Sequence, residues 1–252
     1  MENMGDDTLS NHVYIITGAS SGLGAELSSQ LLLEENSVFC LSRTENDVVK
    51  RQAIGYRYSF HPIDLSRAES LNLIMQEIIA TIDLSGIDSI TLINNAASVS
   101  PIKDIQYCTQ EEIMANIQLN LTTPIMLTSN FIRITSEWGV NRRIVNISSG
   151  SAHYPAKSMS LYCSAKSAIN MFSQCVGLEQ EGKPNAVHIF AVDPGMMDTA
   201  MQNIARNSNF ELSEFFLKQK SEGNLSEPAN VAKKIITFIN SPIRKNGDIL
   251  RV

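Results

Sequence analysis

A chain of 252 residues, 43% of them hydrophobic, has enough apolar matter for one large core and suits a single domain. Its net charge of −6 speaks against a nucleic-acid partner or an anionic membrane surface, and no stretch approaches the roughly 18 apolar residues of a membrane helix. The cysteines, Cys40, Cys108, Cys163 and Cys175, are scattered with no Cys-x-x-Cys pair, so reduced thiols in a cytoplasmic protein without a metal site are expected.

Residues 1–10 are polar and acidic, unlike a signal peptide, and are expected to form a flexible extension ahead of a domain spanning 11–252. The apolar run His12-Val13-Tyr14-Ile15-Ile16 reads as a buried strand. Directly after it comes Thr17-Gly18-Ala19-Ser20-Ser21-Gly22-Leu23-Gly24, then a helix carrying Leu27 and Leu31. Glycines between a strand and a helix allow a tight turn and bring backbone N–H groups close to a pyrophosphate at the helix N-terminus. Ser20 and Ser21 add hydroxyl donors there. A second strand, 37–41, ends in Leu41-Ser42-Arg43. Sites selecting NAD carry an acid at this point to hold the ribose 2′-hydroxyl. Ser42 and the guanidinium of Arg43 point instead to the 2′-phosphate of NADP(H). A third strand over 56–60 leads to Asp64-Leu65, where a carboxylate can meet an adenine amino group or cap a helix.

Leu71, Ile74, Met75, Ile78, Ile79 and Ile82 mark the stripe of a crossover helix. The fourth strand, 90–93, ends in Asn94-Asn95-Ala96-Ala97, and small residues there let a cofactor lie against the sheet. Asn120 is followed four residues on by Pro124, which has no N–H, so the Asn120 carbonyl is expected to be free at a helix kink. Arg142 and Arg143 read as a solvated basic pair leading into the fifth strand, 144–147.

The most informative constellation follows. Tyr162 and Lys166 lie one turn apart on one helix face, with Ser149 thirteen residues before the tyrosine. An ammonium beside a phenol stabilises the phenolate, so the Tyr162 pKa is expected below its usual value of about 10. A tyrosine so tuned can pass a proton to a carbonyl oxygen that Ser149 also holds. Ser148 and Ser151 are neighbouring rivals for that hydroxyl role. A sixth strand, 187–191, precedes Asp193-Pro194-Gly195, and the segment 196–224 shows no strand pattern and reads as an insertion over the substrate. Ser226 as cap and Pro228 in the first turn open a helix with Ala232, Ile235, Ile236 and Ile239 on its apolar face, before a last strand at 248–252.

Alternation of strands and helices from end to end implies an α/β fold: a single-domain, Rossmann-type doubly wound sheet of about seven parallel strands with helices on both faces. The glycine turn, Asn94-Asn95-Ala96, Asn120, Ser149, Tyr162 with Lys166, and Asp193-Pro194-Gly195 through Thr199 together resemble the short-chain dehydrogenase/reductase family in order and spacing. Asn146-Ile147-Ser148-Ser149, Leu161-Tyr162-Cys163, the run from Pro194 to Gln202 and Ala205-Arg206 are similar to the sepiapterin reductase and bacterial benzil reductase branch.

The resemblance implies Tyr162 as the acid in carbonyl reduction, Lys166 lowering its pKa and holding the nicotinamide ribose, Ser149 polarising the carbonyl, and the Asn120 carbonyl holding a relay water. It further implies cofactor contacts from Gly18, Gly22, Leu23 and Gly24 in the turn, Leu65 beside Asp64, Asn95 and Ala96, and Pro194, Gly195, Met197 and Thr199 around the nicotinamide carboxamide. Met196, Met197 and Met201, with Tyr154, Pro155 and Met159, are candidates for an apolar pocket. Sepiapterin reductases anchor the pterin through an acid in the last strand, where this chain has Arg251, and Asp248 points to the other strand face. A small hydrophobic carbonyl substrate such as a vicinal diketone therefore fits better than a pterin, which is the alternative. A reading of another class is an NADP(H)-sensing regulator without turnover. The family also implies a homodimer or homotetramer built on helices around 109–136 and 158–181.

Overall fold

The computed structural model describes residues 11–252 apart from 35, 54, 68–69 and 242–244, so the extension expected at 1–10 lies outside the described residues. Among the described residues seven strands form one parallel sheet. They are β1 (His12–Thr17), β2 (Ser37–Ser42), β3 (Tyr58–Pro62), β4 (Ser89–Asn94), β5 (Asn141–Ile147), β6 (His188–Asp193) and β7 (Ile249–Arg251). Their order across the sheet is β3-β2-β1-β4-β5-β6-β7. The helices are α1 (Gly22–Leu33), α2 (Asp47–Gln52), α3 (Leu71–Ala80), α4 (Gln110–Ile117), α5 (Thr123–Ile134), α6 (Ser160–Gln180), α7 (Ala200–Asn207), α8 (Ser213–Ser221) and α9 (Pro228–Asn240).

The continuous apolar runs exist because both faces of the sheet are covered. On one face Ile16, Val145 and Val192 pack beneath Leu27 and Leu31 of α1 and Ile235 and Ile239 of α9. On the other, Ile15, Leu92 and Ile144 pack beneath Met75 and Ile78 of α3, Phe131 of α5 and Val176 of α6. Every residue of β4 is buried, as a central strand between two helical layers requires.

Several local expectations shift. The third strand starts at Tyr58 because 55–57 close a 3-10 turn, with Gly55 at φ 63°. The last strand starts at Ile249, leaving Asp248 before it. Glu227, not Ser226, precedes α9. Ser226 bridges to Met197 instead, its N–H donating to the Met196 carbonyl at 2.9 Å and its carbonyl accepting from Asp198 N at 3.1 Å. Arg142 is not solvated: it lies inside β5, is 3% exposed, and donates from Nη1 to the Thr135 carbonyl at 2.6 Å. Arg143 is half-buried beside it. The segment 196–224 carries α7 and α8.

α6 comes down close to the loop before β7. A Cβ on Gly177 would stand 2.5 Å from Gly247 N and 2.6 Å from its Cα, both backbone atoms that cannot move aside. Gly177→Ala should therefore destabilise the protein by about 1–3 kcal/mol, the usual scale for overpacking, seen as a Tm lowered by roughly 2–4 °C per kcal/mol in thermal unfolding. An unchanged Tm would mean that α6 can move off the sheet at little cost.

Candidate active site

The β1–α1 turn is closed by contacts that a side chain would destroy. A Cβ on Gly24 would lie 2.3 Å from the Gly18 carbonyl oxygen and 2.6 Å from Asn95 Nδ2. Thr17, unremarked in the sequence, holds the arrangement: its Oγ1 accepts from Asn95 N at 2.9 Å and Ala96 N at 3.0 Å. Asn95 Nδ2 donates back to the Thr17 carbonyl at 2.9 Å. The Asn95 side chain is thus a brace between the ends of β1 and β4. Asn46 is a second brace the sequence reading missed, although Asn-Asp-Val-Val is an N-cap signal. Its Oδ1 caps α2 through Val48 N and Val49 N, and its Nδ2 donates to the Ser20 carbonyl at 2.9 Å.

Ser21, at the N-cap of α1, makes no side-chain cap, so the first-turn N–H groups are left for an anionic partner. The glycine cradle and these donors fit a dinucleotide pyrophosphate. Leu23 turns its side chain into the core and offers only backbone. The Thr199 methyl lies 3.5 Å from where a Gly22 Cβ would be, which brings the loop after β6 onto the same turn. Ser42 is buried with its hydroxyl donating to the Thr44 carbonyl at 2.8 Å, whereas Arg43 is exposed at the end of β2. Asp64 serves its own turn: Oδ1 accepts from Ser66 N at 3.0 Å and Ser66 Oγ at 2.7 Å, and these bonds, then the Arg43 and Arg67 charges, hold its pKa below the usual value. Leu65 is buried, its carbonyl accepting from Thr123 Oγ1 at 2.7 Å.

At the ends of β5 and β6 the candidate trio comes together. Ser149 Oγ accepts from Ser151 N at 3.1 Å, and its hydroxyl lies close enough to the Tyr162 phenol to favour the phenolate. Ser148 faces inward, donating to Asn170 Oδ1 at 2.6 Å, so it does not compete with Ser149. Lys166 Nζ lies 5.7 Å from the Tyr162 ring centroid and donates to the Ile147 carbonyl at 2.7 Å. The phenol pKa is raised, not lowered. Burial pushes it up to about 12 against the pull of the Ser149 hydrogen bond, with the Cys163 and Asp193 charges adding to the rise. Burial also brings Lys166 down to about 8. The expected lowering fails because desolvation penalises the phenolate and the ammonium alike.

Asn120 is buried in a π-helical turn, Gln118–Thr122, in which Thr123 N donates to the Gln118 carbonyl. The gap that Pro124 leaves in the α-helical ladder coincides with this wider turn. The Asn120 side chain is fully engaged by the loop after β4: Oδ1 accepts from Ser98 N at 3.0 Å and Nδ2 donates to the Ser98 carbonyl at 2.9 Å. Past β6, Pro194 is buried, Gly195 N donates to Asp193 Oδ1 at 3.0 Å, and Thr199 caps α7 through Gln202 N at 3.3 Å. Arg251 Nε stands 3.7 Å from Asp193 Oδ2.

Tyr162 forms the wall of an apolar cluster with Val99 and Met159, against which Ile102, Ala156, Met201, Phe210 and Phe216 pack. Of the methionine candidates, Met159 and Met201 are here. Met197 packs on the α1–α9 core instead, and Met196 is exposed at the surface, as is Tyr154. Val99, Ile102, Phe210 and Phe216 were not foreseen. Only Phe210 and Phe216, from the α7–α8 segment, carried any signal, as aromatic residues in an insertion.

A model of the short chain dehydrogenase family matches residues 12–209. The chain belongs to the short-chain dehydrogenase family. This family binds a nicotinamide cofactor, which the glycine cradle and the uncapped N-terminus of α1 accommodate. The chain is 38% identical over 243 residues, 94% of its length and 98% of the relative's, to a benzil reductase ((S)-benzoin forming) of Bacillus cereus. It is 26% identical over 254 residues, covering 95% of both chains, to a sepiapterin reductase of Xenopus tropicalis. The crystal structure of the KRED1-Pglu enzyme shares the fold, with a TM-score of 0.78, 23% identity and coverage of 94% of this chain and 99% of that one.

Because burial lowers the Lys166 pKa to about 8, its charge is present below that pH and lost as pH rises through it. NMR of 13Cε-labelled lysine, with Lys166 assigned by substitution, should find a midpoint near pH 8 for this residue. A midpoint above 10, like that of a solvated lysine, would contradict the desolvation argument.

Proposed function

We propose that this short-chain dehydrogenase is an NADPH-dependent carbonyl reductase acting on a hydrophobic vicinal diketone. The observation that carries the proposal is the convergence of Ser149, Tyr162 and Lys166, with Lys166 Nζ 5.7 Å from the Tyr162 ring centroid, beside an apolar cluster containing Val99, Met159, Met201, Phe210 and Phe216. A bound nicotinamide supplies the hydride that reaches the carbonyl carbon. The protein's own groups manage the oxygen and its proton. Ser149 Oγ accepts the Ser151 N–H and keeps one proton, which turns from the Tyr162 phenol to the substrate oxygen. Tyr162, with its pKa near 12, keeps its proton through the neutral range and holds it ready for the oxygen as negative charge develops there. Lys166, charged below about pH 8, faces the same ring and favours release of that proton. Asn120, its side chain tied to Ser98, would offer its backbone carbonyl to a relay water.

Support for NADPH over NADH comes from the end of β2, where buried Ser42 replaces an acid and exposed Arg43 offers a guanidinium to a 2′-phosphate. The turn from Gly18 to Gly24 and Ser20, Asp64, Leu65, Asn95, Ala96, Pro194, Gly195, Met197 and Thr199 would complete the envelope, with Leu23 and Met197 contributing backbone. The diketone reading draws on the relative named as a benzil reductase and on Arg251, a cation where a pterin would need an acid. In this reading the chain is a single cytoplasmic domain with 196–224 as its substrate-covering insertion. Exposed Met114 on α4 and Met171 and Leu178 on α6 support pairing of copies into a homodimer or homotetramer.

NADPH consumption with benzil, sepiapterin and simple ketones tests the reading, with benzil expected as the best substrate and NADH much poorer than NADPH. Tyr162→Phe should keep NADPH binding and lower kcat by about 10²–10⁴-fold, and activity close to wild type in this variant would sink the mechanism. Arg43→Ala should raise the KM for NADPH while leaving that for NADH unchanged. An equal effect on both cofactors would remove the argument for the 2′-phosphate.

A further inference from the structure

A ladder of buried polar bonds fastens α6 to the end of β5. Asn146 Nδ2 donates to Ser173 Oγ at 2.9 Å, Ser148 Oγ to Asn170 Oδ1 at 2.6 Å, and Lys166 Nζ to the Ile147 carbonyl at 2.7 Å, and the Ser149 hydroxyl lies close to the Tyr162 phenol on the same face. On α6 the rungs fall at 166, 170 and 173, one turn after Tyr162, spacings that keep all four residues on one face. On β5 and just beyond it they fall on three successive residues, 146–148, ahead of Ser149.

The Lys166 rung and the Ser149–Tyr162 pair carry the chemistry of the proposed reaction, and the Asn146–Ser173 rung ties the core. The rung between Ser148 and Asn170 has no such use, yet both side chains are buried, at 3% and 5% exposure, and neither faces substrate. Residue 148 is held from two sides. Its N–H donates to the Val192 carbonyl of β6 at 2.7 Å, and its hydroxyl is held by α6. With both anchors made, the backbone leading into Ser149 cannot rotate, and Ser149 itself opens the tight turn 150–152 through its bond from Ser151 N. Without the helix-side anchor, the turn carrying Ser149 is fixed to β6 alone, while Tyr162 rides on α6.

We propose that Asn170 is a positioning residue that, through Ser148, sets the Ser149 hydroxyl against the Tyr162 phenol. The kinetic part of this proposal rests on the carbonyl reductase reading; the geometric part does not. Asn170 touches no reacting atom. Its effect is orientation of a hydrogen bond on which the proton transfer depends.

The test compares Ser148→Ala, Ser148→Thr and Asn170→Ala by two readouts. The first is kcat for benzil reduction. Ser148→Ala and Asn170→Ala should each lower it by about 10–100-fold, the scale of a small misplacement of catalytic groups, with little change in KM for NADPH. Ser148→Thr, which keeps the hydroxyl, should restore most of it. In a Ser149→Ala background the same substitutions should cost almost nothing more, since the hydroxyl they position is gone. The second readout is the 13Cζ resonance of Tyr162, assigned with Tyr162→Phe, which reports the hydrogen bonding of the phenol oxygen. Ser148→Ala should move it in the direction that Ser149→Ala does.

An unmoved resonance in both Ser148→Ala and Asn170→Ala overturns the proposal, whatever happens to kcat. So does a loss of kcat that persists undiminished in the Ser149→Ala background, because the ladder would then act only on stability. If the wild-type protein reduces no carbonyl compound, the functional reading fails while the Tyr162 resonance still decides the role of Asn170.

Discussion

Everything at this site depends on one topological event: the sheet grows from β1 toward β2 and β3, then reverses and grows from β4 to β7. Loops leaving β1 and β4 therefore part from one another above adjacent strands and open a crevice at the carboxyl edge. Thr17 closes the bottom of that crevice with a single hydroxyl that serves two backbone donors of the neighbouring strand end, Asn95 N and Ala96 N. The Asn95 amide adds a second tie, donating to the Thr17 carbonyl at 2.9 Å and the Gly18 carbonyl at 3.3 Å. The fold supplies the opening, and one threonine fixes its shape.

Burial governs the chemistry on the far side of the crevice. A phenol and an amine sharing a dry helix face are each pushed toward their neutral forms, and attraction between them operates only when both are charged. The result suits a group that must hold a proton until a substrate oxygen needs it. The environment of Tyr162 resists ionisation, which fits the proposed role of proton donor, and the nearby Ser149 hydroxyl offsets part of that resistance. The α7–α8 segment extends the same logic: Phe210 and Phe216 pack toward the tyrosine and keep water away from it. Asp198 ties the two helices at their base, accepting from Arg206 Nη1 at 3.2 Å and from Lys220 Nζ.

Much of the site could be read in advance because its parts are short-range. The glycine turn needs eight consecutive residues, and the Tyr162–Lys166 face needs only helical spacing. The choice of Ser149 and of Thr199 comes from the family resemblance, whose motifs fix where such residues are expected. Other parts resisted for identifiable reasons. Met197 looked like a pocket residue beside Met196 and Met201, but the bridge to Ser226 turns it onto the α1–α9 core. Arg142 looked solvated because its charge was read without its strand partners, which place it opposite Ile90 inside the sheet. The π-turn at Asn120 was half visible: Pro124 announced a missing bond, and only the packing of α4 and α5 around it determined how the helix would absorb the loss.

The sequence by itself determined the alternation of strands and helices, the glycine turn between β1 and α1 and the shared helix face of Tyr162 and Lys166, since each rests on periodicity or spacing within a few turns of chain. Tertiary structure alone decided the direction of the Tyr162 shift, the residues that wall the apolar cluster and the inward turn of Ser148 toward Asn170. These depend on how much water each group loses and on which distant segments meet, as Val99 and Phe216 join one cluster from more than a hundred residues apart. Desolvation and long-range contact are properties of the packed chain, and no local pattern encodes them.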